Sequence, residues 1–228
     1  MNYLWDLVQQ GGLLMFPIIL AFVLSTLLFF ERIWALRSTV IIPKDLIQNT
    51  LEHVKNKQWQ QALNQCQNHP CALSAILYTG LKKNKQARHV MKEAFEEVGH
   101  VEVEHLYRYL EILGSIASVT PLIGLLGTVI GMIDVFQAVV QEVNTQGAMV
   151  NPASLADGIW TALITTAAGL SAAIPAYLGY KYLLAHVDHL AVELEEISLL
   201  FLETIYQETE IQNEVQNTEQ ITNQQDIS

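Results

Sequence analysis

Three long apolar stretches of this 228-residue chain contain no Asp, Glu, Lys or Arg, and they constrain its fold more than any other feature. They cover residues 7–30, 112–133 and 158–180. About 20 consecutive apolar residues are enough for a helix to cross a hydrocarbon core of about 30 Å. Only 15% of all residues are charged, whereas about a quarter is usual in soluble domains. The sequence therefore predicts an all-α integral membrane protein with three transmembrane helices.

The positions of Lys and Arg predict how these helices are oriented. Eleven of the twelve basic residues lie between Arg32 and Arg108, and the twelfth is Lys181. Residues before the first span and residues 141–157 have none. Because Lys and Arg near the ends of a span remain in the cytoplasm, we expect the N-terminus and residues 141–157 outside the cytoplasm. Residues 32–111 and the C-terminus are expected inside.

The rest of the chain has helical hydrophobic spacing, and no stretch alternates as a strand does. The helix before the second span is expected to continue into it, giving one helix from about residue 87 to about residue 140 and some 80 Å long. The Gln-, Asn- and Glu-rich end is typical of disorder. The predicted segments are an outer amphipathic helix at 1–12, spans at 13–31, 112–140 and 158–180, a cytoplasmic helical stalk at 32–111, a periplasmic loop at 141–157, a cytoplasmic helix at 181–207 and a disordered acidic tail at 208–228.

The charge of the chain argues against a nucleic-acid partner. The formal net charge is −11, and from Asp188 onward there are ten acidic residues and no basic one, whereas binding to phosphates requires a basic surface. Cys66 and Cys71 fall in a predicted cytoplasmic region, where thiols stay reduced. With His69 they fall short of a four-ligand zinc site. No Ser/His, Cys/His or paired-carboxylate arrangement is found either, so neither an enzyme nor a cofactor is predicted.

Small and hydroxyl-bearing residues set the second and third spans apart from the bulky first one. Small residues let helices approach closely, and two of the glycines have the GxxxG spacing. This pattern is explained by tight packing alone or by a hydrated path lined with hydroxyl groups. The candidate packing residues are Gly124, Gly127, Gly131, Gly169 and Pro175, and the hydroxyl candidates are Thr128, Thr161, Thr165 and Thr166.

Depth along the two antiparallel spans predicts which of these residues lie at the same level in the membrane. Thr128 and Thr166 each lie about 3 to 5 Å outward of the middle of their span, and Asp134 and Thr161 about 12 Å outward. No ionisable residue lies near the centre, where a proton relay usually has one. Either the chain moves no ion, or a partner supplies the carboxylate. Asp134 is expected to collect cations at the outer mouth or to lie among the lipid headgroups.

Two segments resemble the signature helices of the ExbB/TolQ/MotA family. They are TPLIGLLGTVIGM at 120–132 and ALITTAAGLSAAIP at 162–175. The resemblance implies a pentameric ring in the bacterial inner membrane whose second and third helices line a pore. It also implies an ExbD/TolR-like single-span partner that carries a membrane Asp, with ion flow doing work on a periplasmic system such as TonB-dependent import. Thr128 and Thr166 match the family's pore threonines.

The chain departs from the ExbB and TolQ pattern at one position. Those proteins commonly carry Glu in the third helix where this chain has Thr161. Together with Thr165 and Thr166 in tandem, this favours sodium, whereas the overall layout favours protons as the coupling ion. A non-conducting membrane scaffold and a TolQ-like role in the envelope or in cell division are the alternative functions.

Overall fold

A computed structural model describes residues 11–146 and 152–225. Within these two ranges the regular structure is entirely helical. This confirms the predicted all-α class. The helices are α1 (Met15–Ala35), α2 (Ser38–Ile41), α3 (Lys44–Lys55), α4 (Trp59–Asn68), α5 (Ala72–Lys82), α6 (Arg88–Gln146) and α7 (Pro152–Gln225).

Three of these helices are long and apolar enough to cross a membrane, as predicted. They are α1, the Arg88–Glu142 part of α6 and the Leu155–Glu208 part of α7. The orientation of the spans stays a prediction. Most of the predicted outer amphipathic helix, and residues 147–151 of the predicted periplasmic loop, lie outside the described residues.

Helix α6 begins at Arg88 and continues without a break through the second predicted span. The expected continuous helix is therefore present. Pro121 lies inside it and removes one backbone donor. The Thr120 hydroxyl donates to the Ile116 carbonyl oxygen at 2.6 Å in the turn before this proline, in keeping with the way hydroxyl groups assist proline-containing membrane helices.

Helix α7 differs from the expectation of a disordered tail. It continues through the predicted third span and the following helix as far as Gln225, although disorder is predicted from residue 208. No Gly or Pro follows Gly179. The residues that most strongly end helices are therefore missing from this stretch, and Glu, Gln and Leu support a helix.

The chain divides into two compact units. The first unit comprises Met1–Ile33 and Tyr109–Leu184. In it the C-terminal end of α1 is attached to α6 by Arg32, whose guanidinium lies 4.1 Å from the centre of the Tyr109 ring. The same guanidinium forms a salt bridge with the neighbouring Glu31 at 2.6 Å. Such a stacked arginine holds two helices together without leaving its charge unpaired.

The second unit comprises Trp34–Arg108 and Ala185–Ser228 and has an apolar core of its own. Gly80 lets α5 pack closely on α6, since a Cβ there would lie 2.1 Å from the Phe95 ring. The Tyr107 hydroxyl donates to the Asp188 carboxylate and joins α6 to α7. The buried side chains include Leu46, Leu73, Leu77, Met91, Leu190, Leu194 and Phe201.

Cys66 lies in the core of this second unit, and burial should make its thiol unreactive. The side chain is 3% exposed, and burial raises the pKa of the thiol to about 11. Because the thiolate is the nucleophile, we expect Cys66 to react with iodoacetamide at pH 8 far more slowly than a thiol in the unfolded chain. Mass spectrometry of tryptic peptides measures both rates. Equal rates in the folded and unfolded chain would contradict the burial of Cys66.

The raised pKa of Cys66 also determines how the stability of the folded state changes with pH. The folded state holds the thiol proton more tightly than the unfolded chain, where a thiol titrates near pH 8.5. This contribution to stability is therefore complete below that pH and is lost as the pH rises toward 11.

Candidate functional site

The backbones of α6 and α7 touch at two glycines in the middle of the predicted second and third spans. A Cβ placed on Gly169 would lie 3.0 Å from the Gly124 Cα and 3.2 Å from the Thr120 carbonyl oxygen. A Cβ on Gly124 would in turn lie 3.2 Å from the Thr165 carbonyl oxygen. Such approach is tighter than ordinary side-chain contact, so no larger residue fits without separating the helices.

Two further glycines of α6 continue this contact toward the C-terminal end of that helix. The Thr165 side chain fills the space at Gly127, where a Cβ would lie 2.5 Å from its Cγ2 atom. Ala162 fills the space at Gly131, with a corresponding distance of 2.9 Å. Four of the five candidate packing residues thus lie at this contact between α6 and α7. Pro175 is exposed within α7.

The three central threonines make different hydrogen bonds. Thr166 donates across the contact to the Gly124 carbonyl oxygen at 2.9 Å. Thr165 is 1% exposed and donates to the Thr161 carbonyl oxygen of its own helix at 2.7 Å. Thr128 is half-buried and donates to the Leu125 carbonyl oxygen at 2.7 Å.

These bonds correct the predicted alignment of the two spans. The sequence places Thr128 and Thr166 at one depth, but Thr166 lies opposite Gly124. Gly124 precedes Thr128 by four residues, which is about 6 Å along a helix. The difference arises because contact between glycine backbones sets the register, whereas the predicted depths rest on the midpoints of apolar stretches.

A polar cleft of about 470 Å³ lies between α6 and α7, toward the C-terminal end of the second predicted span and the N-terminal end of the third. Asp134 and Thr161 both line it, although the predicted common depth of these two residues rests on the same alignment that the glycine contact corrects. Asp157 lines it as well and was missed, although it directly precedes the third uncharged stretch. Both carboxylates are exposed. The carboxylate and hydroxyl oxygens of this cleft are of the kind that attract hard cations.

Groups suited to a metal centre are not seen in the described ranges. No cluster of three or more His, Cys, Asp or Glu side chains there is arranged to hold an ion. His186 instead contacts the Leu36 carbonyl oxygen through Nε2 at 2.9 Å, within the second unit.

Comparison with known sequences decides the family. The sequence model of the MotA/TolQ/ExbB proton channel family matches residues 68–196. The chain belongs to this proton channel family. The matched residues include the glycine contact between α6 and α7 and both aspartates of the polar cleft. The match to the family therefore covers the candidate site.

Individual relatives show the same relationship. The Biopolymer transport protein exbB1 of Vibrio cholerae is 32% identical over 199 residues, which are 86% of this chain and 85% of the relative. The Biopolymer transport protein ExbB of Aquifex aeolicus is 33% identical over 123 residues, 53% of this chain and 78% of the relative. The Tol-Pal system protein TolQ of Haemophilus influenzae is 42% identical over 87 residues, 38% of this chain and 36% of the relative.

These findings place the chain among channel and transport-associated membrane proteins. Of the relatives, the exbB1 protein is matched over almost its whole length, whereas the more identical TolQ match is confined to about a third of either chain.

Proposed function

We propose that the chain is a pore-forming ring subunit of an inner-membrane motor driven by an ion gradient. The observation that carries this proposal is the position of the Thr166 hydroxyl, which bonds to the Gly124 carbonyl at the α6–α7 contact, in the middle of the predicted bilayer. The uncharged stretches on both helices lack any titratable carboxylate. The ring therefore supplies oxygens of hydroxyl and carbonyl groups, and a partner supplies the charge.

An ExbD/TolR-like single-span partner with a membrane Asp completes this arrangement. A carboxylate near the middle of the membrane costs about 3 kcal/mol or more unless it is protonated or paired. Moving one charge through 100 mV returns about 2.3 kcal/mol. The cycle must therefore neutralise the Asp on one side and release the ion on the other, and a hydroxyl beside it assists both steps by donating or accepting a hydrogen bond.

The coupling ion is proposed to be the proton. Thr161 cannot titrate, so protons would pass along water held by Thr128, Thr166 and backbone carbonyls. The same groups, with Thr165, are the alternative ligands of a sodium ion, which prefers oxygens. The printed names of the relatives refer to biopolymer transport and to the Tol-Pal system. We favour work on a TonB-like import protein, because the match to the exbB1 protein covers most of both chains.

A non-conducting scaffold is the second candidate function. The glycine contact and the small residues around it favour a scaffold as much as they favour a pore. The two functions differ in what they require of Thr166, since only a conducting ring needs its hydroxyl group. A TolQ-like role would keep the motor and change the periplasmic system on which it works.

We expect the purified chain to form a homopentamer. The outward faces of α1, α6 and α7 in the first unit carry many exposed apolar side chains, including Phe22, Leu122 and Phe136, which provide surface both for lipid and for neighbouring copies. Native mass spectrometry in a mild detergent should give five copies per particle. A monodisperse monomer at micromolar concentration would contradict the proposed ring.

Cysteine labelling should place the loop between α6 and α7 outside the cytoplasm. Cysteines introduced at Asn144 or Asn151 should react with a membrane-impermeant maleimide added to intact spheroplasts. A cysteine at Asn49, which is exposed in α3, should react only after lysis.

The native thiols need to be removed for this experiment. Cys66 is buried and would stay unlabelled on either side of the membrane. Absence of labelling at Cys66 therefore gives no information about topology. Cys66→Ala with Cys71→Ser gives a suitable background, since serine keeps a cap at the start of α5. The proposed orientation would be reversed if the cysteine at position 49 were labelled in intact spheroplasts while the cysteine at position 144 stayed unlabelled.

A further inference from the structure

One segment of this acidic chain carries only positive charges among its Asp, Glu, Lys and Arg side chains. Residues 53–92 contain no Asp or Glu, although the whole chain has a net charge of −11. They contain seven of the twelve basic residues, namely Lys55, Lys57, Lys82, Lys83, Lys85, Arg88 and Lys92. The proposed pore does not use any of them. Such a concentration of positive charge indicates an anionic partner.

Three of these lysines line one cleft of about 540 Å³ in the second unit. Lys57 follows α3, Lys82 ends α5 and Lys85 lies in the loop before α6. All three are exposed, and Trp59 in the same wall is half-buried. The remaining lining side chains are uncharged. Over the ranges that the structure describes, none of the three ammonium groups takes part in a salt bridge.

Lys57 occupies a backbone position that usually belongs to glycine. Its φ is 59°, in the left-handed region. The N–H of Lys57 donates to the Val54 carbonyl at 3.0 Å, and that of Gln58 donates to the His53 carbonyl at 2.8 Å. This is the Schellman arrangement that ends a helix. A side chain is strained there and glycine is not, so lysine at this position destabilises the turn, and the cleft offers a reason for its presence.

Three neighbouring ammonium groups repel one another, and an anion held between them relieves this repulsion. Phosphate suits the cleft well. It offers several acceptor oxygens to the lysines, and the amide groups of Gln61 and Asn84 line the same space. The volume lies within the range of small-molecule sites.

We propose that the cleft formed by Lys57, Lys82 and Lys85 binds a phosphate-bearing anion. The three ammonium groups contact its oxygens, and Trp59 lies beside it. The phosphate comes either from a soluble phosphorylated compound or from the headgroup of an acidic phospholipid. This site does not depend on the proposed motor function, and each can fail without the other.

The test measures binding of inorganic pyrophosphate to the full chain in nanodiscs of zwitterionic lipid by isothermal titration calorimetry. Lys57→Gly should weaken binding about tenfold or more, since a hydrogen bond between charged groups is lost. Without ligand, the same variant should melt at the same or a higher temperature, because glycine relieves the strained turn. These opposite effects separate a binding role from a folding role.

Other variants and probes complete the test. Lys82→Gln and Lys85→Gln should weaken binding as well, whereas Lys55→Gln, which removes a charge outside the cleft, should not. The second arm uses phosphatidylglycerol nanodiscs and counts retained lipids by native mass spectrometry for the unmodified chain and Lys57→Gly. Lys57-dependent binding in one arm identifies the source of the phosphate.

Two results would overturn the proposal. The first is that neither pyrophosphate nor phosphatidylglycerol binds in a way that depends on the three lysines. The second is that polyglutamate binds as tightly as pyrophosphate with the same dependence on Lys57, which would make the cleft a site for acidic peptides.

Discussion

Replacing Thr166 by alanine should abolish the work of the motor while leaving the ring assembled. The hydroxyl of Thr166 donates to the Gly124 carbonyl oxygen across the helix contact. Hydrogen bonds of this kind between membrane helices contribute only about 0.6 kcal/mol on average, so the loss in stability is small. In the proposed motor the loss in function is large, because this hydroxyl is then the polar group that the ring offers near mid-membrane to the partner's Asp.

The measurement is ion-driven import, or the corresponding envelope activity, in a strain that expresses only the variant. Protein abundance and ring assembly are measured on the same cells. Thr166→Ser should retain part of the activity, since it keeps the hydroxyl, and Thr166→Val should not. Ser171→Ala is a matched control, because it removes an exposed hydroxyl from the same helix and should have no effect. Full activity of Thr166→Ala would favour the scaffold function.

The same assay at a fixed membrane potential distinguishes protons from sodium as the coupling ion. Activity that does not change with sodium concentration supports protons. Strict dependence on sodium would reverse the proposed ion and assign Thr165 and Thr166 to cation coordination. Such a result would require the buried Thr165 hydroxyl to exchange its bond to the Thr161 carbonyl for the ion.

Gly169→Ala should destabilise the chain more than any other single methyl group added to the helix contact. The new Cβ would meet the backbone of Gly124 and the Thr120 carbonyl at 3.0 and 3.2 Å, and backbone atoms cannot move aside as the end of a flexible side chain can. Overpacking of this kind costs about 1–3 kcal/mol. We expect a lower melting temperature and a smaller pentamer fraction in size-exclusion chromatography.

Gly99→Ala is the matched control for this change. Gly99 also lies inside a long helix, but a Cβ there would meet only the Ile76 Cδ1 atom at 3.9 Å. Alanine should then stabilise α6 by roughly 0.5–1 kcal/mol through its higher helix propensity. If Gly169→Ala also raised the melting temperature, the close contact at Gly124 would be wrong.

The helices themselves were determined by the sequence. Three uncharged apolar stretches are long enough to cross a membrane as helices, and the absence of proline between Arg88 and the second span lets α6 continue without a break. The glycine and threonine pattern at 120–132 and 162–175 also predicted which two helices carry the site, because small residues are needed wherever helices meet closely in lipid. The tail beyond residue 208 shows the limit of composition, since a stretch without Gly or Pro has nothing that forces the helix to end.

Only the tertiary structure decided how the two site helices are aligned. Small residues recur about once per turn on both spans, so the sequence allows several registers that differ by one turn. Contact of the Gly124 and Gly169 backbones selects one of them. That register directs Thr166 to the Gly124 carbonyl, buries Thr165 against Gly127, and brings Asp157 into the cleft with Asp134. It follows from steric contact between residues more than 20 positions apart, which no local pattern in the sequence records.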